Sequence, residues 1–411
     1  MTGVHERWDS HTQPSVVAES SSPRLSRFRI SAFHRHPALI AFYVLDILLI
    51  VAIPWFAWRG AVAVLDSEGG TIIDAVPNAD EPGYRAFVQP SPVHLVLQTD
   101  VGGRLTTALL VAGAGSSTFG GAVRLLPGAT PLPPDQGGLS LGELYDAEPA
   151  GVGPRVEAIL GFGVGTPIVL GPAELAAISG DFGPFEVTFP DAVRVAGPAD
   201  GTGEDIVLYP SGRASVPASD LAAVLSALGT DEPEANRLIR QERTWEAWFA
   251  AAAASNRPVP DTVDADLATL LDRLLSGFVD FDTVPETEGS DGSGVLDTES
   301  LAAEATGLVP FPVGTPAVPR VRIAVLDGVG TTGLVNRVIP ELVAAGAEIS
   351  FVGTANVFGA ETSTFRFAPG FEEQANALRA AVGYGTVVPT DPLALTDDGI
   401  DVTIVLGSDS G

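Results

Sequence analysis

"ALIAFYVLDILLIVAIPWFAW", Ala38 to Trp58, is the stretch that most limits what this chain can become. About 21 residues pass with Asp46 as the only charged group. Wound as a helix they span roughly 31 Å, the thickness of a bilayer's hydrocarbon core. Trp55 and Trp58 sit where an interfacial aromatic belt belongs, and the basic flank "RLSRFRISAFHRH" precedes the run. Basic flanks stay cytoplasmic. The expectation is therefore a single-pass helix over 38–58, a disordered cytoplasmic tail over 1–37, and an extracytoplasmic bulk held at the plasma membrane. The competing reading is a cleaved signal peptide. The run is long for one, and no small-residue cleavage site follows it cleanly. Asp46 suits a helix–helix contact, a tolerated defect or an intramembrane functional acid.

Charge divides the chain at the same place. Residues 1–35 hold five Arg against three acids, whereas everything from Arg59 onward holds 17 Arg against 47 acids. There is no Lys, and the whole chain carries net −29. A surface this acidic repels DNA and RNA, so nucleic-acid binding is not expected. There is no Cys, which excludes disulfides, thiolate nucleophiles and Cys-based zinc sites. Four of the five His residues (5, 11, 34, 36) precede the apolar run, leaving His94 alone beyond it. One His inside a strand pattern is more often structural than part of a triad or zinc site.

Beyond the run, "VHLVLQTD" (93–100), "TALLVAG" (107–113), "GAVRLLP" (121–127) and "TPIVLG" read as strands. Helices are expected over 155–163, ending at Gly161, over 172–180, and over 218–229 with Ser219 as N-cap and Gly229 as stop. The longest helical pattern is 232–254, whose Leu238, Trp245, Trp248 and Phe249 approximate one stripe. Another helix covers 264–278, and "ETEGSDGSG" (286–294) reads as a flexible loop or linker. "GTPAVPR" (314–320) marks a boundary, after which a βαββαββ order predicts a small α/β domain.

Two patterns invite chemistry. "GVGTTG" (328–333) formally matches G-x-G-x-x-G between a strand and a helix. However, the next strand ends without the acid that would hold a ribose, and the unit is too small for a doubly wound sheet. A tight strand-to-helix turn is the plainer reading. "NRLIRQER" sets Arg237, Arg240 and Arg243 at i, i+3 and i+6, with Arg237 and Arg240 on one helix face. Their forks suit phosphate, although pairing with Glu234, Glu242 or Glu246 would use them equally well.

Residues 319–411 resemble a LytR C-terminal domain of the actinobacterial type, through "VRIAVLDGVGTTGL", "LVAAG" and "DVTIVLGSD". Residues 88–315 more distantly resemble the LytR–CpsA–Psr (LCP) family. The resemblance implies an α/β/α central domain with a mixed sheet, beside the small α/β domain and the N-terminal transmembrane helix. It also implies a Gram-positive cell envelope. Members are membrane-anchored phosphotransferases that move a polymer from a polyprenyl-pyrophosphate carrier to peptidoglycan. Carboxylates hold Mg²⁺, arginines hold the pyrophosphate, and the lipid tail lies in an apolar cleft between sheet and helices.

Carried over position by position, the family's "GxD" falls on "QTD", keeping Asp100. Its "SDT" falls on Leu105, Thr106 and Thr107, losing the carboxylate. Its "IPRDT" falls on Leu126, Pro127, Gly128, Ala129 and Thr130, losing the Arg–Asp pair. Its "YVRxR" falls on Ala223 to Ala227, losing two more arginines. Its "RxxRQ" is intact as Arg237, Arg240 and Gln241, with Glu234 near the family's Asp. Removing such groups from a phosphoryl-transfer site costs orders of magnitude in rate. The expectation is an inactive, LCP-like binding or scaffold protein of cell-wall assembly or maintenance. Arg237, Arg240 and Gln241 remain as candidate headgroup ligands, and Asp100 as a catalytic remnant. No resident cofactor or metal is expected. Partners are the bilayer and a polyprenyl-linked lipid, peptidoglycan or another envelope protein. The alternative is a divergent phosphotransferase with Mg²⁺, using Asp100, Arg237 and Arg240. Transcriptional regulation is opposed by topology and charge together.

Overall fold

The computed structural model describes residues 67–68, 71–72, 78–179, 183–197, 204–255, 259, 264–289, 294–390 and 399–411. The expected tail and apolar span lie outside these residues. Among the described residues, no helix is long and apolar enough to cross a membrane. Two compact units divide at Ile73/Asp74. The first contains the antiparallel pair β1 (Ser67–Glu68) and β2 (Thr71–Ile72).

The second unit opens with β3 (Arg85–Phe87), then the antiparallel meander β4 (Val93–Thr99), β5 (Leu105–Gly113) and β6 (Phe119–Pro127). Helices α1 (Leu141–Ala147) and α2 (Val152–Leu160) lead to β7 (Ile168–Leu170) and α3 (Pro172–Ser179). Two antiparallel pairs follow, made from β8 (Phe185–Phe189), β9 (Val193–Val195), β10 (Ile206–Tyr209) and β11 (Gly212–Val216). Next come α4 (Leu221–Ser226), α5 (Glu234–Ser255), α6 (Ala265–Leu275), β12 (Phe278–Thr283), β13 (Glu286–Glu288), β14 (Gly294–Leu296) and α7 (Thr298–Leu308). The chain closes with β15 (Val321–Asp327), α8 (Leu334–Ala344), β16 (Ala347–Thr354), β17 (Thr364–Phe367), α9 (Glu372–Val382), β18 (Thr386–Pro389) and β19 (Val402–Leu406).

The central sheet has the order β12-β6-β5-β4-β7 and is mixed, with parallel pairs at both edges around an antiparallel centre. Its central strands β4, β5 and β6 are buried along nearly their whole length because both faces are covered. Successive side chains point to opposite faces. Leu95, Leu97, Leu110 and Leu126 pack on one side with α1, α2 and α7. Val96, Leu109, Val111, Val123 and Leu125 pack on the other with α3 to α6. The result is the expected three-layer arrangement.

The second sheet runs β18-β17-β19-β15-β16-β3. Its last strand comes from the opposite end of the chain, β3 pairing antiparallel with β16 through Phe87↔Phe351. The 314–320 segment, read as a boundary, is also a joint. Arg320 donates to the carbonyl of Gly161, which caps α2, and to that of Val343 in the last turn of α8. Thr315 reaches Glu157 on α2 at 2.9 Å.

Two expected segments differ. The 218–229 helix is a 3-10 turn (Ala218–Asp220) followed by the short α4, and Ser219 binds Asp220 instead of capping. The 286–294 loop contributes β13 and the start of β14, whose ladder aligns Glu286 with Leu296.

Candidate functional site

The positions carried over from the resemblance, Asp100 apart, converge at one end of the central sheet. The start of β5, the loop after β6, the end of α4 and the first turns of α5 meet there. Gly128 donates its N–H to the Thr106 carbonyl at 3.0 Å, and Gly142 at the start of α1 donates to the Gly128 carbonyl at 2.7 Å. A Cβ at position 128 would lie 2.6 Å from the Thr106 oxygen and 2.9 Å from that of Leu105. Such distances are far inside van der Waals contact, so the backbone itself occupies the room a side chain would need.

The i, i+3, i+4 spacing of Arg237, Arg240 and Gln241 turns all three inward on α5. Each is buried: Arg237 at 7% exposure, Arg240 and Gln241 at 0%. Arg240 pairs with Glu232, just before α5, and with Asp191 at 2.9 Å, and donates to the carbonyl of Ala227 at 3.1 Å. Arg237 pairs with Glu234 and donates to the same Thr106 carbonyl at 3.0 Å. Gln241 receives the Thr107 hydroxyl at 2.8 Å and donates to Leu225 at 2.6 Å. Arg243, one turn further, is exposed and pairs with Glu246. Buried polar groups need such partners, and in this cluster the protein supplies them except at Nε of Arg237 and of Arg240 and at Oδ1 of Asp191.

The carboxylates respond unequally. Burial raises the pKa of Glu234, Arg237 opposes it, Glu286 adds repulsion, and the net direction is upward. Burial also pushes Glu232 up, but hydrogen bonds from Arg240 and the Gly229 amide outweigh it and hold it below its ordinary value. Thr130, which the resemblance keeps, donates to Glu286 at 2.6 Å.

Asp100 is not joined to this cluster. It sits in the β4–β5 turn, where Arg104 grips one oxygen at 2.9 Å and the amides of Gly102 and Arg104 donate to the other. Burial raises its pKa, the hydrogen bonds from Arg104 and Gly102 lower it, and the balance is downward. Arg124, which the sequence placed in a turn-bound strand without a role, is buried and bridges Asp280 on β12 and Glu304 on α7. Among the described residues, no group of three or more His, Asp or Glu converges as a metal site. Thr106 and Ala129 occupy the acidic positions, and Asp100 is spent on Arg104. The residues present do not fit the family's Mg²⁺.

The cleft expected between sheet and helices is narrowed by aromatic packing at Phe249. Trp248 and Phe249 meet edge to face at 4.9 Å, and Phe249 stacks toward Phe281 at 5.6 Å. Between Val111, Leu170, Trp245 and Leu271 a cavity of about 30 Å³ remains, and beside it one of about 280 Å³ is lined by Phe249, Leu274, Phe278 and Phe281 among others. Sequence reasoning found the arginines and the pairing of Arg237 with Glu234 and of Arg243 with Glu246, but missed the partners of Arg240. Asp191 lies 49 residues from Arg240, and Glu232 precedes the helix, so neither shows in helical spacing.

Residues 320–409 match the family described as LytR cell envelope-related transcriptional attenuator, so the chain carries that C-terminal domain. The chain is also similar to three solved structures, each at low identity. One is titled LytR-Csp2A-Psr enzyme from Actinomyces oris, at 18% identity over 56% of this chain and 96% of that one, TM-score 0.39. Another is TagV of B. subtilis, at 14% identity over 56% and 100%, TM-score 0.39. A third is TagT bound to LIIa-WTA, at 13% identity over 53% and 91%, TM-score 0.40. No curated protein matches the chain.

Proposed function

We propose that this is an outward-facing cell-envelope protein, held at the plasma membrane by residues 38–58, whose LCP-like central domain binds or scaffolds without transferring phosphate. One observation carries the reading: both arginines that would hold a pyrophosphate are buried in ion pairs with the chain's own carboxylates. A phosphate would have to displace Glu232, Asp191 and Glu234, and desolvated pairs of this kind are costly to break. The backbone contact at Gly128 supports the same view, since the loop has closed over the space of the missing Arg. The cell-envelope setting rests on the C-terminal domain. Net −29 argues against DNA as a partner.

The competing reading is a divergent transferase. Glu234 and Glu286, close enough to repel, stand beside Arg237 and Thr130 and are the carboxylates it would use. Titration of the full chain with pyrophosphate in the presence of Mg²⁺ separates the two. The proposal predicts no saturable binding. Saturable binding lost in Arg237→Ala would favour the transferase.

A further inference from the structure

The G-x-G-x-x-G stretch contributes to none of the above, yet it borders a cavity of about 170 Å³ at the C-terminal ends of β15 and β16. Crevices at this end of parallel strands are where open α/β sheets bind ligands. Tyr84, Asp327, Thr331, Thr332, Asn336 and Phe358 are among its walls. Tyr84 arrives from the segment before β3, fixed by its backbone to Thr354.

The loop is built against phosphate. The amides of Val329 and Gly330, which a pyrophosphate would need, donate instead to Oδ1 of Asp327 at 2.7 and 2.9 Å. No Arg, Lys or His lines the cavity, and Asp80 adds a second negative charge. A divalent cation is equally unsupported, because no three acids converge among the described residues.

Asp327 is the unusual group. The residue is 6% exposed, Oδ1 holds both loop amides, and Oδ2 takes no hydrogen bond from the protein. Asp327 lines the cavity, so a donor from a ligand there can reach the oxygen that the protein leaves free. Thr331, Thr332 and Asn336 line the same cavity, with Phe358 as an apolar wall. Gly330, at φ +88°, lets the loop lie against that ring, where a Cβ would come within 3.2 Å.

We infer that this cavity binds a saccharide: a neutral, polyhydroxylated ring that donates hydroxyls to Asp327, pairs others with Thr331, Thr332 and Asn336, and rests its C–H face against Phe358. The site is independent of the arginine cluster and stands or falls without it.

The test is saturation-transfer NMR on the full chain with glucose, N-acetylglucosamine and a chito-oligosaccharide, against inorganic phosphate and methylammonium. The sugars should show transfer, and Asp327→Asn should abolish it. Asn336→Ala changes an exposed residue in the first turn of α8, leaves the fold intact, and should weaken binding at least fivefold. An oligosaccharide bound at least tenfold tighter than the monosaccharides would identify a glycan strand as the source; equal affinity would identify a free sugar. Absence of sugar binding would overturn the inference. So would sugar binding unchanged in Asn336→Ala, or preference for phosphate or methylammonium.

Discussion

Gly128 and Thr106 meet backbone to backbone, the N–H of one donating to the carbonyl of the other at 3.0 Å, and Arg237 donates to that same carbonyl. The oxygen therefore ties three of the carried-over segments together, with no side chain at position 128. Gly128→Ala should destabilise the fold by about 1–3 kcal/mol, since its Cβ meets backbone that cannot rotate away. Gly128→Arg should cost more and restore no phosphate binding. Urea denaturation followed by circular dichroism measures the first. Full stability in Gly128→Ala would mean that the loop is free to open.

Arg240 tests the ion pairs. Arg240→Ala strands Glu232 and the Ala227 carbonyl and should cost about 3–5 kcal/mol, the usual range when a buried pair loses one member. Glu232→Gln, which keeps a hydrogen-bond acceptor, should cost less. Chemical denaturation of both variants gives the comparison. A neutral Arg240→Ala would contradict the structural role.

His94 supplies a pH dependence. Its pKa is lowered chiefly by burial, with Asp266 raising it and Arg273 lowering it. The folded state thus binds fewer protons than the unfolded one between the lowered value and 6.5. Stability from this group is complete above about pH 6.5 and is lost as pH falls through 6.5 toward the folded pKa. The melting temperature should drop between pH 7.5 and 5.5, and His94→Gln should reduce the drop. Equal drops would remove His94 from the account.

Phe249 tests whether the cleft is closed by packing. Phe249→Ala should cost about 3–5 kcal/mol and open a continuous apolar cavity among Trp245, Trp248 and Phe281. Nile red fluorescence should rise with the variant and stay low with the wild type. Strong wild-type fluorescence would show the cleft to be open in solution.

Strands β4 to β7, the long helix and the βαββαββ order were legible because their apolar runs, Gly stops and periodicity are local signals, whereas β12, with Asp280 and Asp282 in its run, was not. Gly161 ends α2 at φ +76° as its position suggested. What escaped was non-local. The strand β3 carries only Arg85–Phe87 and gains meaning from β16, 264 residues later by the Phe87↔Phe351 register. The hairpin at 286–296 hides in a polar, Gly-rich stretch because a short two-stranded ladder needs little apolar content. At the candidate site, the i, i+3 arginines were visible, but Asp191, Glu232 and the tight approach at Gly128 depend on where the chain folds back. The alternation of Asp327 between loop support and cavity wall left no trace beyond a strand-ending acid.

Phosphate release by the full chain from polyprenyl pyrophosphate with Mg²⁺ tests the central claim most directly. A chain whose arginines are held by Glu232, Asp191 and Glu234 should release none above the protein-free blank, and Arg237→Ala and Arg240→Ala should change nothing. Turnover above the blank, abolished by Arg240→Ala, would contradict it.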